Sequence, residues 1–196
     1  MLLNLKSFTQ VNKINLEIEN QINKNTKTDY LQKAYDFYRL KEWDSTLIYS
    51  ARLLNVSKNN DIINLAHYFR GQSFIEKKIF NESLKEYKLI SLNFSFYSYV
   101  ECSSGEIFLS QKQYKKALKY FIPLIKKHNA LSFKPKKSTL LHNIGLCYFH
   151  LKEFEKAETY LLKGSALQEK ENDTLLLISS YMDIANLYYE QYKDNQ

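Results

Sequence analysis

The stretch LLHNIGLCYFHLKEFEKAETYLLKGSALQEK, residues 140–170, limits what this chain can fold into more than any other. Two apolar-periodic segments, each long enough for about three helical turns, flank the hinge Leu151-Lys152-Glu153. This is the pattern of an antiparallel helix pair. Gly145 and Ala157 fall where the facing helix comes close, and Tyr148, Leu151, Phe154 and Leu161 fill the space around them. A hairpin of this size cannot bury its apolar faces alone, so it requires neighbours of the same kind.

Those neighbours are present in the sequence. Aligned on Gly145, the pattern recurs around Gly105, with Phe108, Tyr114, Ala117 and Phe121 in the places of Tyr148, Phe154, Ala157 and Leu161. It recurs again around Gly71, with Phe74, Phe80, Ser83 and Tyr87. An earlier, more worn copy carries Ala34, Phe37, Trp43, Thr46 and Ser50, with two polar residues at places that are apolar in the others. A fifth begins with Ala185 and Tyr188. The anchors 34, 71, 105, 145 and 185 are 37, 34, 40 and 40 residues apart.

The pattern resembles the tetratricopeptide repeat family, whose unit is about 34 residues long. At the family's large, Leu-Gly, Tyr, Ala, aromatic and Ala places the fourth copy reads Leu141, Ile144, Gly145, Tyr148, Ala157, Leu161 and Gly164. The resemblance covers residues 27–196, in units of 27–60, 64–97, 98–131 and 138–171 and an incomplete fifth of 178–196. It implies an all-α fold, a right-handed superhelical solenoid of antiparallel helix pairs. Composition agrees: four glycines, two prolines, 16 Tyr and 12 Phe suit stacked helices with aromatic contacts.

Before the first unit, residues 1–26 hold Leu5, Phe8, Ile14, Leu16 and Ile18 at amphipathic spacing. The apolar run is broken by Asn4 and Lys6 and lacks a small-residue cleavage site, so it is not a secretory signal. The expectation is a capping helix over the edge of the first repeat, with a dimerisation or membrane-surface helix as the alternatives. Pro123, inside the second helix of the third unit, is expected to kink or shorten it. The fifth unit stops at Asn195-Gln196, before its second helix. The expectation is a longer parent protein, with self-association through the unfinished repeat as a further possibility. Repeat arrays of this style resemble the helical front ends of bacterial signalling proteins, which implies a cytoplasmic role in signal transduction and leaves any enzymatic module to the parent.

In the family the first helix of each pair lines the concave side. The resemblance therefore implies a groove lined by Tyr35, Tyr38 and Arg39, then Tyr68, Gln72, Ile75 and Glu76, then Tyr99, Cys102, Glu106 and Leu109. His142, Leu146, Phe149 and His150 follow, and Met182, Asn186 and Tyr189 complete it. This aromatic trough with scattered donors and acceptors suits a peptide or a partner protein. The same side chains are also placed to pack between repeats. The clamp by which some members hold a C-terminal carboxylate is lacking, because Leu31, Tyr68 and Cys102, and Tyr35, Gln72 and Glu106, stand at places it needs.

Charge is concentrated. Between Ile107 and Lys152 stand ten lysines and no acidic residue: Lys112, Lys115, Lys116, Lys119, Lys126, Lys127, Lys134, Lys136, Lys137 and Lys152. The rest of the chain carries 18 basic and 21 acidic residues, so the formal +7 resides in this segment. The segment reads as a solvated surface, an acidic-partner site or, less readily, a nucleic-acid contact, since no arginine or reading module accompanies it.

Catalysis and cofactors find little support within these residues. His142, His150 and Cys102 lack further ligands at tight spacing, so no metal is expected. Cys102 and Cys147, 45 residues apart, form no redox or metal motif. No phosphate-binding loop occurs, and glycines for an oxyanion nest are almost absent. No segment reaches the roughly 18 consecutive apolar residues of a membrane span.

Overall fold

A computed structural model describes residues 29–131 and 134–194. The expected capping helix of residues 1–26 and the terminal Asn195-Gln196 lie outside the described residues. Within them the chain is entirely helical: α1 Asp29–Leu40, α2 Trp43–Val56, α3 Asn60–Glu76, α4 Phe80–Lys88 and α5 Tyr97–Ser110. They are followed by α6 Tyr114–Lys127, a 3₁₀ turn His128–Ala130, α7 Lys137–His150, α8 Phe154–Lys170 and α9 Thr174–Asp194. Helices α1 to α4 pack in succession, with α1 also meeting α3, and so do α6 to α9, with α7 also meeting α9. The described residues fall into two compact units, one within Asn12–Val100 and one within Glu101–Gln196.

The small residue of each first helix is where the large residue of the second arrives. A Cβ on Gly105 would lie 2.5 Å from the Phe121 ring, and one on Gly145 would lie 2.7 Å from Leu161 Cγ. On Gly71 it would collide with the Tyr87 ring. Ala34, Ala117 and Ala157 are wholly buried at the corresponding approaches. In the worn first copy, Thr46 and Ser50 are also wholly buried. Their hydroxyls donate to the carbonyls of Glu42 and Thr46 in their own helix, which satisfies the polar groups without a partner across the interface.

The hairpin turn is the same four times. Lys41, Lys78, Lys112 and Lys152 adopt left-handed backbone, with φ of 61°, 61°, 58° and 61°. Each donates its N–H to the carbonyl three residues back, and the next residue donates to the carbonyl five residues back: Lys152 to Phe149 and Glu153 to Tyr148, for example. This is the Schellman closure of a helix C-terminus. The residue after the lysine also opens the next helix, since Thr46, Ser83, Ala117 and Ala157 donate back to Glu42, Ile79, Gln113 and Glu153. Asn172, at φ 53°, closes α8 in the same way before α9. Asn59 instead caps α3, its side chain accepting from Asp61 and Ile62 N–H.

In the unit Asn12–Val100 the core is aromatic: Tyr68 lies 6.4 Å from Phe96, Phe94 5.3 Å from Phe96, and Tyr38 4.9 Å from Phe69, ring centre to ring centre. In the unit Glu101–Gln196, Phe121, Leu124, Leu140 and Ile144 form one buried cluster, and Leu161, Ile184 and Leu187 form a second. Burying a side chain of this size is worth about 1.5–3 kcal/mol. Pro123 does not end α6, which runs on to Lys127 before the 3₁₀ turn.

Candidate functional site

Register along the first helices sorts the expected groove residues by depth. Three residues before each small anchor stand Leu31, Tyr68, Cys102 and His142, all buried. One residue after it, Tyr35 and Gln72 are buried, Glu106 and Leu146 half-buried and Asn186 exposed. Four residues after it stand Tyr38, Ile75, Leu109 and Phe149, all half-buried, and Tyr189, exposed. The next place holds Arg39, Glu76 and His150, all exposed. Within each unit, therefore, a row of partly exposed apolar side chains is bordered by an exposed polar row.

The deep residues act in packing. Tyr68 is wholly buried, and burial holds its phenol well above the ordinary range, hence neutral. Gln72 donates to Tyr87 Oη over 2.6 Å, joining α3 to α4. Tyr35 lies 6.3 Å from Phe69, and the Arg39 guanidinium stands 5.6 Å from the Tyr35 ring, so Arg39 borders the surface from above a buried aromatic. His142 sits between α7 and α9. Its Nδ1 lies 2.7 Å from Ser180 Oγ and its Nε2 lies 3.4 Å from Asp183 Oδ2. Burial pushes His142 down to about 4 and Asp183 up to about 6. Ser180 is wholly buried, and this serine, histidine and aspartate join α7 to α9.

Cys102, also buried, points its thiol at Glu106, 3.6 Å away. His150 stacks on Tyr114 at 4.6 Å and lies 5.1 Å from Phe149, and burial, followed by the nearby Lys112, lowers its pKa. His150, Phe149 and Tyr114 thus cluster at the end of α7, with the histidine stacked on the tyrosine and tilted against the phenylalanine. Burial pushes the Cys147 thiol up to about 12, so it stays protonated. Among the described residues no group of three His, Cys, Asp or Glu side chains is placed to hold a metal ion. Likewise no described helix is long and apolar enough to cross a membrane.

The basic segment divides into several environments. Lys115, Lys119 and Lys126 are exposed along one stripe of α6, and Lys112, Lys134 and Lys137 are exposed before and after that helix. Lys116 lies over the Phe108 ring at 5.5 Å, and Lys127 pairs with Glu101 at 2.8 Å. Lys136 is half-buried and meets Asp173 at 2.9 Å, tying the start of α7 to the turn between α8 and α9. Asp173, Ser180 and Asp183 escaped the reading of the sequence. Their signal was present only as polar residues on an otherwise apolar helix entry.

The chain matches no family profile and no curated protein.

Proposed function

We propose that this chain is a tetratricopeptide-like array that holds a peptide or a partner protein against its first helices, without catalysis of its own. The observation that carries the reading is the recurrent row Tyr38, Ile75, Leu109 and Phe149, partly exposed at one register place in four successive hairpins. Apolar side chains on equivalent turns, bordered by Arg39 and Glu76 in one unit and by His150 in the other, suit the anchoring of a peptide. Right-handed superhelical stacking and a place in a cytoplasmic signalling protein belong to the same proposal.

A peptide-array or pull-down screen with the 196-residue chain tests it. Phe149→Ala and His150→Ala should weaken capture about tenfold or more if these are anchors, while helix content stays unchanged. Capture indifferent to both, and to Tyr38→Ala, contradicts the groove. Tyr68→Ala and His142→Ala are poor probes, since both side chains are buried in the helix packing.

A second reading has its own observation: Lys115, Lys119 and Lys126 form an exposed stripe on α6. Such a stripe suits an acidic partner surface, and a nucleic acid less well. Replacing all three with Glu would abolish salt-sensitive binding to an acidic protein while leaving peptide capture by Phe149 intact.

A further inference from the structure

Helix α9 has two apolar faces. One packs inward, with Ser180, Ile184 and Leu187 buried. The other is open: Ile178, Met182, Tyr189 and Tyr192 are 53%, 63%, 65% and 66% exposed, and Ala185 is exposed at their centre. In α7 the residue of the same register, Gly145, is covered by Leu161 of the following helix. The open face of α9 therefore continues a helix-on-helix packing that the chain already makes.

We propose that a second copy of this chain covers that face, α9 lying antiparallel on α9 about a two-fold axis at Ala185. The stripe reads the same in both directions from that residue. Met182 and Tyr188 stand three places away, Tyr181 and Tyr189 four, and Ile178 and Tyr192 seven. An isologous contact sets each residue before the axis on its counterpart after it. Every pair formed in this way is apolar or aromatic, with the Met182 thioether meeting the Tyr188 ring. Alanine at the axis lets the two backbones approach.

Charge and area favour a second copy as the occupant. None of the seven stripe residues is charged, whereas Asp183, Glu190 and Lys193 of the same helix lie outside it. An uncharged stripe can meet its own copy without setting like charges against each other. With tyrosines of about 150–250 Å² each, roughly half to two-thirds exposed, the stripe offers on the order of 700 Å² per copy, near the ~800 Å² per partner of a stable interface. The assignment takes Tyr189 and Asn186 out of the peptide groove and into the edge of the self-contact.

Sedimentation equilibrium of the whole chain across a wide concentration range, combined with cysteine cross-linking, tests the proposal. The wild type should show a reversible dimer, and Tyr189→Glu should raise its dissociation constant about tenfold or more with helix content unchanged. Ala185→Cys should form an inter-chain disulfide on mild oxidation. An Ile178→Cys chain mixed with a Tyr192→Cys chain should cross-link to each other more readily than either links to itself. Monomer at every concentration overturns the proposal. So does a dimer that survives Tyr189→Glu and leaves Ala185→Cys unlinked, because that dimer uses another face.

Discussion

A glycine inside a helix costs about 0.5–1 kcal/mol relative to alanine, yet Gly71, Gly105 and Gly145 all lie within helices. What offsets the cost is the approach of Tyr87, Phe121 and Leu161, which leaves no room for a methyl group. Helix propensity alone would make Gly105→Ala stabilising. Overpacking against the Phe121 ring should reverse the sign, with a net loss of about 1–3 kcal/mol, measured as a lower urea midpoint at unchanged slope. The turns show the converse. No glycine has positive φ, and lysines occupy the left-handed places. Side chains with a Cβ are strained there by roughly 1–2 kcal/mol, so Lys152→Gly should raise stability by about 0.5–1 kcal/mol once the larger unfolded-state entropy of glycine is deducted. The packing role of Gly145 was legible in the sequence because a small residue kept returning among large ones. The strain at Lys152 was not, since nothing about lysine marks a left-handed turn.

At the scale of the element, α7 and α9 are joined through one titrating pair. His142, held down at about 4, contributes stability that is complete above its ordinary pKa of 6.5 and is lost as pH falls through about 4. Asp183, held up at about 6, contributes in the opposite sense: its stability is complete below 3.8 and lost as pH rises through about 6. In the shared window the two slopes oppose each other, and the pH dependence of the native pair should be shallow. Asp183→Asn removes one of them. That variant should lose stability relative to wild type as pH falls from 6.5 towards 4, by on the order of 2–3 kcal/mol, in urea titrations at stepped pH. A parallel displacement at all pH values would show that burial of His142 does not govern the interface. The sequence placed His142 on a first helix but not its depth. The same helical face that could line a groove also meets the next helix, and only the arrival of Ser180 and Asp183 decides between them. For that reason Tyr35, Tyr68 and Gln72 were legible as aligned residues but not as buried ones.

Across the described residues one hairpin is built four times, with α9 repeating its first half. The register was legible because the small and large anchors recur at fixed offsets. Even the worn copy obeys it, since Thr46 and Ser50 bond to their own helix and become as buried as the apolar residues they replace. The ends of the elements were less legible: α9 begins at Thr174 rather than 178, and α6 passes through Pro123. The start of α9 depends on the bond from Leu177 N–H to the Asp173 carbonyl, which composition does not announce. Double-mutant cycles at equivalent places, Gly105→Ala with Phe121→Ala and Gly145→Ala with Leu161→Ala, test the shared geometry most directly. If each large side chain sits on its glycine, the added methyl enters space that truncation has opened. Each double variant should then be more stable than the sum of its singles by about 1 kcal/mol or more, whereas additivity within about 0.5 kcal/mol at either hairpin would contradict the repeat.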